Sequence, residues 1–183
     1  MATQTPDITP QHLQFINNQR IFFVATAAEE ESINLSPKDM DSLKVIDNKR
    51  VIWLNVTGSG NETAAHVQQN PRMTILFTSF EQEPLILRLY GQARVIHHND
   101  NEWNALYDQF QPLPGARQIF DRSVEMVQAS CGMSVPFYQY LGEREQLNEG
   151  VGKLGKEKLW QYWRNKNHTS IDGLPTHIVE KNL

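Results

Sequence analysis

The sequence has a single cysteine, no excess of positive charge and no long hydrophobic run. Cys131 is alone among 183 residues, which excludes a framework of internal disulfides and predicts a reducing compartment. Lysine and arginine number 17 against 21 acidic residues, a net charge of -4, and this balance argues against a dedicated nucleic-acid-binding protein. No apolar run approaches the length that crosses a membrane. We therefore expect neither nucleic acid nor membrane as a partner.

A secretory signal is not expected either, because the first residues, "MATQTPDITPQHLQF", contain neither a basic region nor an apolar core. Together with the lone cysteine, this predicts a cytoplasmic location. The composition is that of an ordinary globular protein, with 39% hydrophobic and 21% charged residues. The length suits one domain with a sizeable core.

Six β-rich runs fill the first half of the chain. Each combines β-branched or aromatic residues with little helical periodicity. The runs are "IFFVATAA", a short run from Ser32 to Leu35 that Pro37 stops, the two halves of "LKVIDNKRVIWLNV" around a turn at Asp47, "MTILFTSF", and "LILRLYGQARVI". In the last run Gly91 is placed where a bulge or a sharp bend would let a sheet curl.

Helical patterns flank these runs. "TPQHLQFINNQR" predicts an opening helix with Thr9 as N-cap and Pro10 at the first helical position. Helical spacing also occurs in "DNEWNALYDQF", "ARQIFDRSVEMVQAS" and "GKEKLWQYWRNKN", and "VPFYQYLG" predicts a further short strand. Strands first and helices outside them predict an α+β fold, a barrel-like sheet with peripheral helices.

A loop rich in glycine, residues 57–61, joins the fourth strand to a short helix. Ser59 and Glu62 have the spacing of a capping box, and Asn70 before a proline ends the helix. A capped connecting helix explains every residue, so the pattern alone favours this structural interpretation. The functional alternative is a phosphate site, because a helix start offers free amides and partial positive charge, and Gly58 and Gly60 permit close approach.

The same region resembles a known family. "RVIWLNVTGSGNETAAHVQQNPRMTILF" followed by "LILRLYGQARVI" is similar to the core of the pyridoxamine 5'-phosphate oxidase superfamily. The shared parts are a strand, a Gly-Ser-type turn, a short helix ending in Asn-Pro, an apolar strand, and a long strand with "GxAxxI". The resemblance covers most of the chain from about Ile21 and points to an uncharacterised oxidase-like branch. The true oxidases have Arg-Lys directly after the turn serine, where this chain has Gly60 and Asn61.

The resemblance implies a fold and an assembly. The fold would be a six-stranded split β-barrel with peripheral helices, one domain over residues 1–183 with its core at about 19–141 and a C-terminal helix and tail at 150–183. The assembly would be a homodimer that binds FMN between its subunits.

The resemblance also implies a set of cofactor-binding residues. Residues 59–63 would hold the FMN phosphate with a lysine adding charge, residues 53–55 would border the ribityl chain and the isoalloxazine ring, and residues 130–131 would lie near the flavin face. The expected cofactor-binding residues are Lys38, Trp53, Leu54, Asn55, Ser59, Gly60, Asn61, Glu62, Thr63, Ser130 and Cys131.

Two functions are compatible with this resemblance. The first is an FMN-dependent oxidoreductase, in which the cofactor carries the redox chemistry, so no catalytic side chain and no substrate are assigned. The second is a non-catalytic module that binds flavin or haem for sensing or storage. No metal site is predicted, because His97 and His98 are adjacent on a strand and would point to opposite faces.

Overall fold

A computed structural model describes residues 2–183 and contains an antiparallel sheet with helices around it. Its strands are β1 (Thr3–Thr5), β2 (Ile21–Thr26), β3 (Asn34–Asp39), β4 (Leu43–Asp47), β5 (Arg50–Val56), β6 (Arg72–Thr78), β7 (Leu85–Ile96), β8 (Ala116–Ser123) and β9 (Met126–Cys131). Its helices are α1 (Pro10–Asn18), α2 (Glu62–Gln69), α3 (Trp103–Tyr107), α4 (Gln146–Leu154), α5 (Lys156–Tyr162) and α6 (Ile178–Asn182), with a 3₁₀ turn at Met40–Ser42 and a π-helical turn at Trp163–Asn167. Among these residues no helix is both long and apolar enough to cross a membrane.

The strand order corrects the expected number of strands. Neighbours follow the order β3-β2-β6-β7-β8-β5-β4, β9 pairs with β7, and β1 pairs with β9. The six expected runs correspond to β2 through β7, and β1, β8 and β9 raise the number to nine. The sheet is also not closed, since β3 and β4 each have one partner strand within residues 2–183. The α+β arrangement, an antiparallel sheet with peripheral helices, is confirmed.

Several local predictions are confirmed. Helix α1 begins as expected, with the Thr9 hydroxyl accepting from the His12 amide and Pro10 in the first turn. The turn after Asp47 joins β4 to β5, and α2 ends at Gln69, just before Asn70. These features depend on residues close in sequence, so the sequence alone identifies them.

Burial on both faces explains the continuous apolar run of β5. Val51 and Trp53 belong to the core cluster inside the sheet, where the Trp53 ring stacks on that of Phe120 at 4.7 Å. Ile52 and Leu54 point the other way, into a second cluster beneath α3. A strand covered on both sides has no polar face, so hydrophobic side chains follow one another without alternation.

The helix predicted over residues 116–130 is wrong, because this segment forms β8 and β9. Strand β8 lies between β5 and β7 and is buried on both faces, with Ile119 in one core cluster and Phe120 in the other. Its two arginines, Arg117 and Arg122, are also buried. Polar residues inside a buried strand remove the period-two signal, so the sequence imitates a helical pattern.

Two further strand predictions are wrong, one in its end point and the other in its existence. Strand β3 continues through Pro37, which pairs with Phe23, because β3 is an edge strand and a missing amide hydrogen on its free side is harmless. The segment "VPFYQYLG" (residues 135–142) forms no strand. Its side chains Phe137, Tyr138 and Leu141 are exposed.

Strand β7 changes partners at Gly91. Residues 85–90 of β7 pair with β9, and residues 93–96 pair with β8. Gly91 forms no bulge against β6, because the register between β7 and β6 runs through it without a shift, and its φ is not positive. The alternative, a sharp bend at Gly91, stays a prediction. The glycine is needed for a close approach, since a Cβ there would overlap the backbone carbonyl oxygen of Ser123.

We therefore predict that Gly91→Ala lowers the free energy of unfolding by about 1–3 kcal/mol, the usual cost of forcing a side chain into a packed site. Gly150→Ala is the control, because a Cβ at this helical position meets no atom within 4 Å. It should stabilise the protein by about 0.5–1 kcal/mol. Urea denaturation of both variants measures the difference. An unchanged midpoint for Gly91→Ala would show that the Ser123 carbonyl does not constrain this position.

Candidate functional site

A cavity of about 1310 Å³ opens between β3, the end of β5, the start of α2 and the C-terminal segment (residues 132–183). Nine of the eleven expected site residues line it: Lys38, Trp53, Leu54, Asn55, Ser59, Gly60, Asn61, Glu62 and Thr63. The other two, Ser130 and Cys131, lie at the end of β9 outside this lining, where the Ser130 hydroxyl accepts a hydrogen bond from Arg88 at 3.0 Å. The tertiary structure therefore brings nine expected residues together around one cavity and places Ser130 and Cys131 outside it.

Strand β3 contributes one polar face to the cavity. Asn34, Ser36 and Lys38 line the cavity and are partly buried, and the residues between them are exposed, as the alternation of a strand requires. The Lys38 ammonium lies 5.1 Å from the centroid of the Trp53 ring, at cation–π distance. A positive charge is therefore fixed at the cavity wall.

The start of α2 forms the adjoining wall, but the predicted capping box is wrong. The helix begins at Glu62 with Asn61 as N-cap, and no side chain caps it. The Asn61 amide instead donates to the backbone oxygen of Asn167 at 3.2 Å, and Ser59 is exposed. The first amides of α2 consequently lack a side-chain acceptor at the cavity, the arrangement in which a helix start can bind an anion.

Arg117 of β8 is a buried cavity residue that the sequence analysis missed. Arg117 lines the cavity and is 4% exposed. Nη2 donates to the backbone oxygen of Gly60 at 2.7 Å. With the Asn55 amide oxygen turned toward Arg117, the orientation that satisfies both groups, this oxygen accepts from Nε at 3.1 Å and from Nη2 at 3.2 Å. Nη1 is buried and has no hydrogen-bond partner within residues 2–183.

Arg117 and Lys38, two of the cavity's cationic residues, both have lowered pKa values. Burial lowers the pKa of Arg117 to about 10. Burial also lowers the pKa of Lys38 to about 8, and repulsion from Arg117 adds to this effect. Neither residue forms an ion pair with a carboxylate in the described part of the chain. Buried charges are normally paired, so an anionic ligand would supply the missing counter-charge.

The C-terminal segment holds the glycine loop from the side opposite β8. The Trp163 indole donates to the Thr57 hydroxyl at 2.8 Å, and the Asn167 amide donates to the backbone oxygen of Gly58 at 3.1 Å. Nearer the C-terminus, the Asn182 amide donates to the backbone oxygen of Arg117 at 2.5 Å. The loop conformation therefore depends on residues more than a hundred positions away.

The two adjacent histidines stabilise this anchoring. His97 Nδ1 contacts the Asn182 side-chain oxygen at 3.0 Å, and His98 Nε2 contacts the backbone oxygen of Ala116 at 3.1 Å. Burial lowers the pKa of His97 to about 4. The structure, over residues 2–183, contains no group of three or more histidine, cysteine or acidic side chains suited to a metal ion.

Comparison with known proteins identifies relatives of the chain. Residues 8–131 match the family model described as "Pyridoxamine 5'-phosphate oxidase". The Aspergillus flavus protein named "Pyridoxamine 5'-phosphate oxidase family protein ustO" is 33% identical over 176 residues, which cover 86% of this chain and 70% of that protein.

Solved structures share the fold at lower identity. HupZ from Group A Streptococcus is 23% identical, with a TM-score of 0.53 over 65% of this chain and 91% of that one. A Lactobacillus delbrueckii protein is 16% identical, with a TM-score of 0.54 over 67% of this chain and 94% of that one. Because the family model matches more than half of the sequence, the chain belongs to the pyridoxamine 5'-phosphate oxidase family.

Proposed function

We propose that this protein binds FMN, with the phosphate of the cofactor at the start of α2, and that it acts as an FMN-dependent oxidoreductase. One observation carries the proposal: Arg117 is buried and lines the cavity, and its guanidinium has Nη1 unpaired and no carboxylate partner within residues 2–183. A phosphate provides both the counter-charge and the acceptor oxygens that this group needs.

In the proposed phosphate site, cations from strands β8 and β3 take the place of the Arg-Lys pair that the true oxidases have in the turn. In place of Arg-Lys the glycine loop has Gly60 and Asn61, but Arg117 of β8 and Lys38 of β3 line the same cavity. Together with the first amides of α2 and the positive end of its dipole, they form an anion site. The neutral loop residues therefore do not leave the phosphate without positive charge.

The remaining cavity surface fits a flavin with space beside it. Residues 53–55 at the end of β5 would border the ribityl chain and the ring. At about 1310 Å³ the cavity exceeds the range of about 300–1,000 Å³ that single-ligand sites occupy, so a substrate could bind next to the cofactor. When bound, FMN would supply electron transfer at its isoalloxazine ring, and the side chains described here would bind and orient it. Membership of an oxidase family supports this activity.

We also propose that the protein is a homodimer with the cofactor between its subunits. Three apolar side chains are strongly exposed: Ile171, which lines the cavity, and Ile33 and Leu35, next to its lining residue Asn34, are 80%, 77% and 67% exposed. A contact between Ser32 and Asp172, at 3.0 Å and 3.1 Å, brings Ile33 and Ile171 together. A clustered apolar surface of this kind is typical of an interaction site, and β3 beside it is an edge strand.

The first test compares FMN with riboflavin, which lacks the phosphate. We expect flavin absorption bands after reconstitution and an affinity for FMN at least about tenfold higher than for riboflavin, because one charge-assisted contact is worth that much. Fluorescence titration measures both affinities. Equal affinities would contradict the phosphate site, and a Soret band would indicate haem instead. Reduction of the bound flavin by NADH or NADPH without oxygen distinguishes the enzyme from a non-catalytic module.

Substitution of Arg117 by methionine tests the residue that carries the proposal. Arg117→Met should weaken FMN binding about 10- to 100-fold, the worth of a hydrogen bond to a charged group, and leave riboflavin binding nearly unchanged. The matched control is Arg122→Met, a second buried arginine of β8 whose Nη2 donates to the backbone oxygen of Met73 and which does not line the cavity. An equal loss of FMN affinity in both variants would refute a specific role for Arg117.

The depressed pKa of Lys38 predicts that FMN binding depends on pH. The free protein has a Lys38 pKa of about 8, and a bound phosphate raises this pKa by favouring the charged amine. Binding of FMN therefore takes up a proton. The affinity for FMN is highest below the Lys38 pKa of the free protein and falls as the pH rises through 8, by at most about tenfold per pH unit. Isothermal titration in buffers of different ionisation enthalpy measures this proton uptake.

Two variants of Lys38 and one control make this prediction specific. Lys38→Met should bind FMN weakly at every pH, because it has no charge to lose. Lys38→Arg should bind FMN tightly at every pH, because arginine stays charged. The exposed lysine of β4 is the control, and Lys44→Met should keep the slope of the wild type. A wild-type affinity that is constant between about pH 7 and pH 9 would contradict proton uptake at Lys38.

The proposed dimer predicts its own set of measurements. Sedimentation at micromolar protein with bound flavin should give a species of twice the 21.1 kDa chain mass. Leu35→Glu should yield monomers, because it places a charge in the exposed apolar surface. Met133→Glu, at a position 82% exposed but outside the cavity lining, should not. A wild-type monomer with flavin bound would exclude the interface.

A further inference from the structure

A second cavity, of about 450 Å³, adjoins the first. It forms where the end of α1, the β6–β7 loop (residues 79–83) and residues 138–143 meet. Arg20, Ile21 and Glu143 line both cavities, so the two spaces are neighbours that share a wall. None of the residues expected to bind FMN lines the second cavity.

Aromatic rings form much of its wall. The rings of Phe80 and Tyr138 meet edge to face at 5.3 Å, and the Tyr138 amide donates to the backbone oxygen of Phe80 at 3.2 Å. The Tyr140 ring has the Arg20 guanidinium 5.1 Å from its centroid, and its hydroxyl donates to Glu143 at 2.7 Å. Tyr138 and Tyr140 remain 66% and 48% exposed, so both side chains can be reached from solution.

The charges of this cavity are opposite to those of its neighbour. Three carboxylates, those of Glu81, Glu83 and Glu143, line it against the single guanidinium of Arg20. The first cavity has five cationic side chains against three acidic ones. A cleft with an excess of one sign of charge favours ligands of the opposite sign, so the charge balance of the second cavity favours a cation.

Ring faces and carboxylates together match one class of ligand. The π-system of an aromatic ring attracts an organic cation, most strongly where several rings surround it. Arg20 over Tyr140 shows that one of these faces already holds a cation of the chain itself. Three carboxylates outnumber this guanidinium, which leaves negative charge uncompensated. The volume accommodates a small organic molecule.

We propose that the second cavity binds an organic ammonium ion, held by the rings of Phe80 and Tyr138 and by the carboxylates around them. The shared wall would place such a ligand beside the first cavity. The proposal does not depend on flavin, because the cavity is built from other residues, and it can be tested on protein with or without FMN.

The experiment compares the binding of choline with that of its neutral isostere, 3,3-dimethylbutan-1-ol. Isothermal titration and NMR of the protein measure the binding of each probe. Choline should bind saturably at millimolar concentrations, and the isostere should bind at least about fivefold more weakly, as expected for a cation–π site. The preference should shrink in high salt, because screening weakens the attraction of the carboxylates. Equal binding of the two probes, or no saturable choline binding, would overturn the proposal.

Matched variants assign the binding to this cavity. Tyr138→Leu and Glu81→Gln should each weaken choline binding about fivefold. Their controls are Phe137→Leu, the exposed neighbouring ring that does not line the cavity, and Glu145→Gln, two positions beyond Glu143. Both controls should bind choline as the wild type does. Equal effects in variants and controls would overturn the assignment.

Sedimentation of the same variants tests the competing occupant, a second copy of the chain. Because Tyr138 is an exposed residue, Tyr138→Leu should fold and keep the oligomeric state of the wild type. If the wild type fails to bind choline and Tyr138→Leu converts a dimer to monomers, the surface is a subunit interface and the ligand proposal is wrong.

Discussion

The buried guanidinium of Arg117 constrains the rest of the cavity. It is 4% exposed and is held by the backbone oxygen of Gly60 and by the Asn55 amide, not by a carboxylate. Burying such a charge is costly unless another group compensates it. Its hydrogen-bond partners are neutral, and its charge adds to the effect of burial in lowering the pKa of Lys38. The glycine loop is in turn fixed by the hydrogen bond that Gly60 accepts.

The C-terminal segment is part of this arrangement and not an appendage. The family model ends at residue 131, yet Trp163 and Asn167 hold the glycine loop, and Asn182 binds the backbone oxygen of Arg117. All three residues are buried. A buried polar group needs its hydrogen-bond partners, because losing one leaves the group unsatisfied away from water. The loop and the segment therefore stabilise each other's conformation.

Charge in this protein is separated locally, which the net value of -4 conceals. The proposed phosphate site collects cations from β3 and β8, and the neighbouring cavity collects carboxylates from the β6–β7 loop and residues 138–143. Under the two proposals, this separation of charge would let an anionic and a cationic ligand each bind in its own cavity. Arg20 and Glu143 lie at the boundary and line both cavities.

The sequence by itself determined the features that depend on near neighbours: the existence of strands β2 to β7, the start of α1 at Thr9 and the end of α2. The nine residues that line the cavity were identified by the resemblance of the sequence to a family. Only the tertiary structure decided that residues 116–130 form two strands, because burial on both faces of β8 removes the alternation that identifies a strand. It also placed Arg117 beside Gly60, 57 positions away, and turned Asn61 from the helix toward Asn167. Such contacts join elements that are distant in the chain, and no local pattern encodes them.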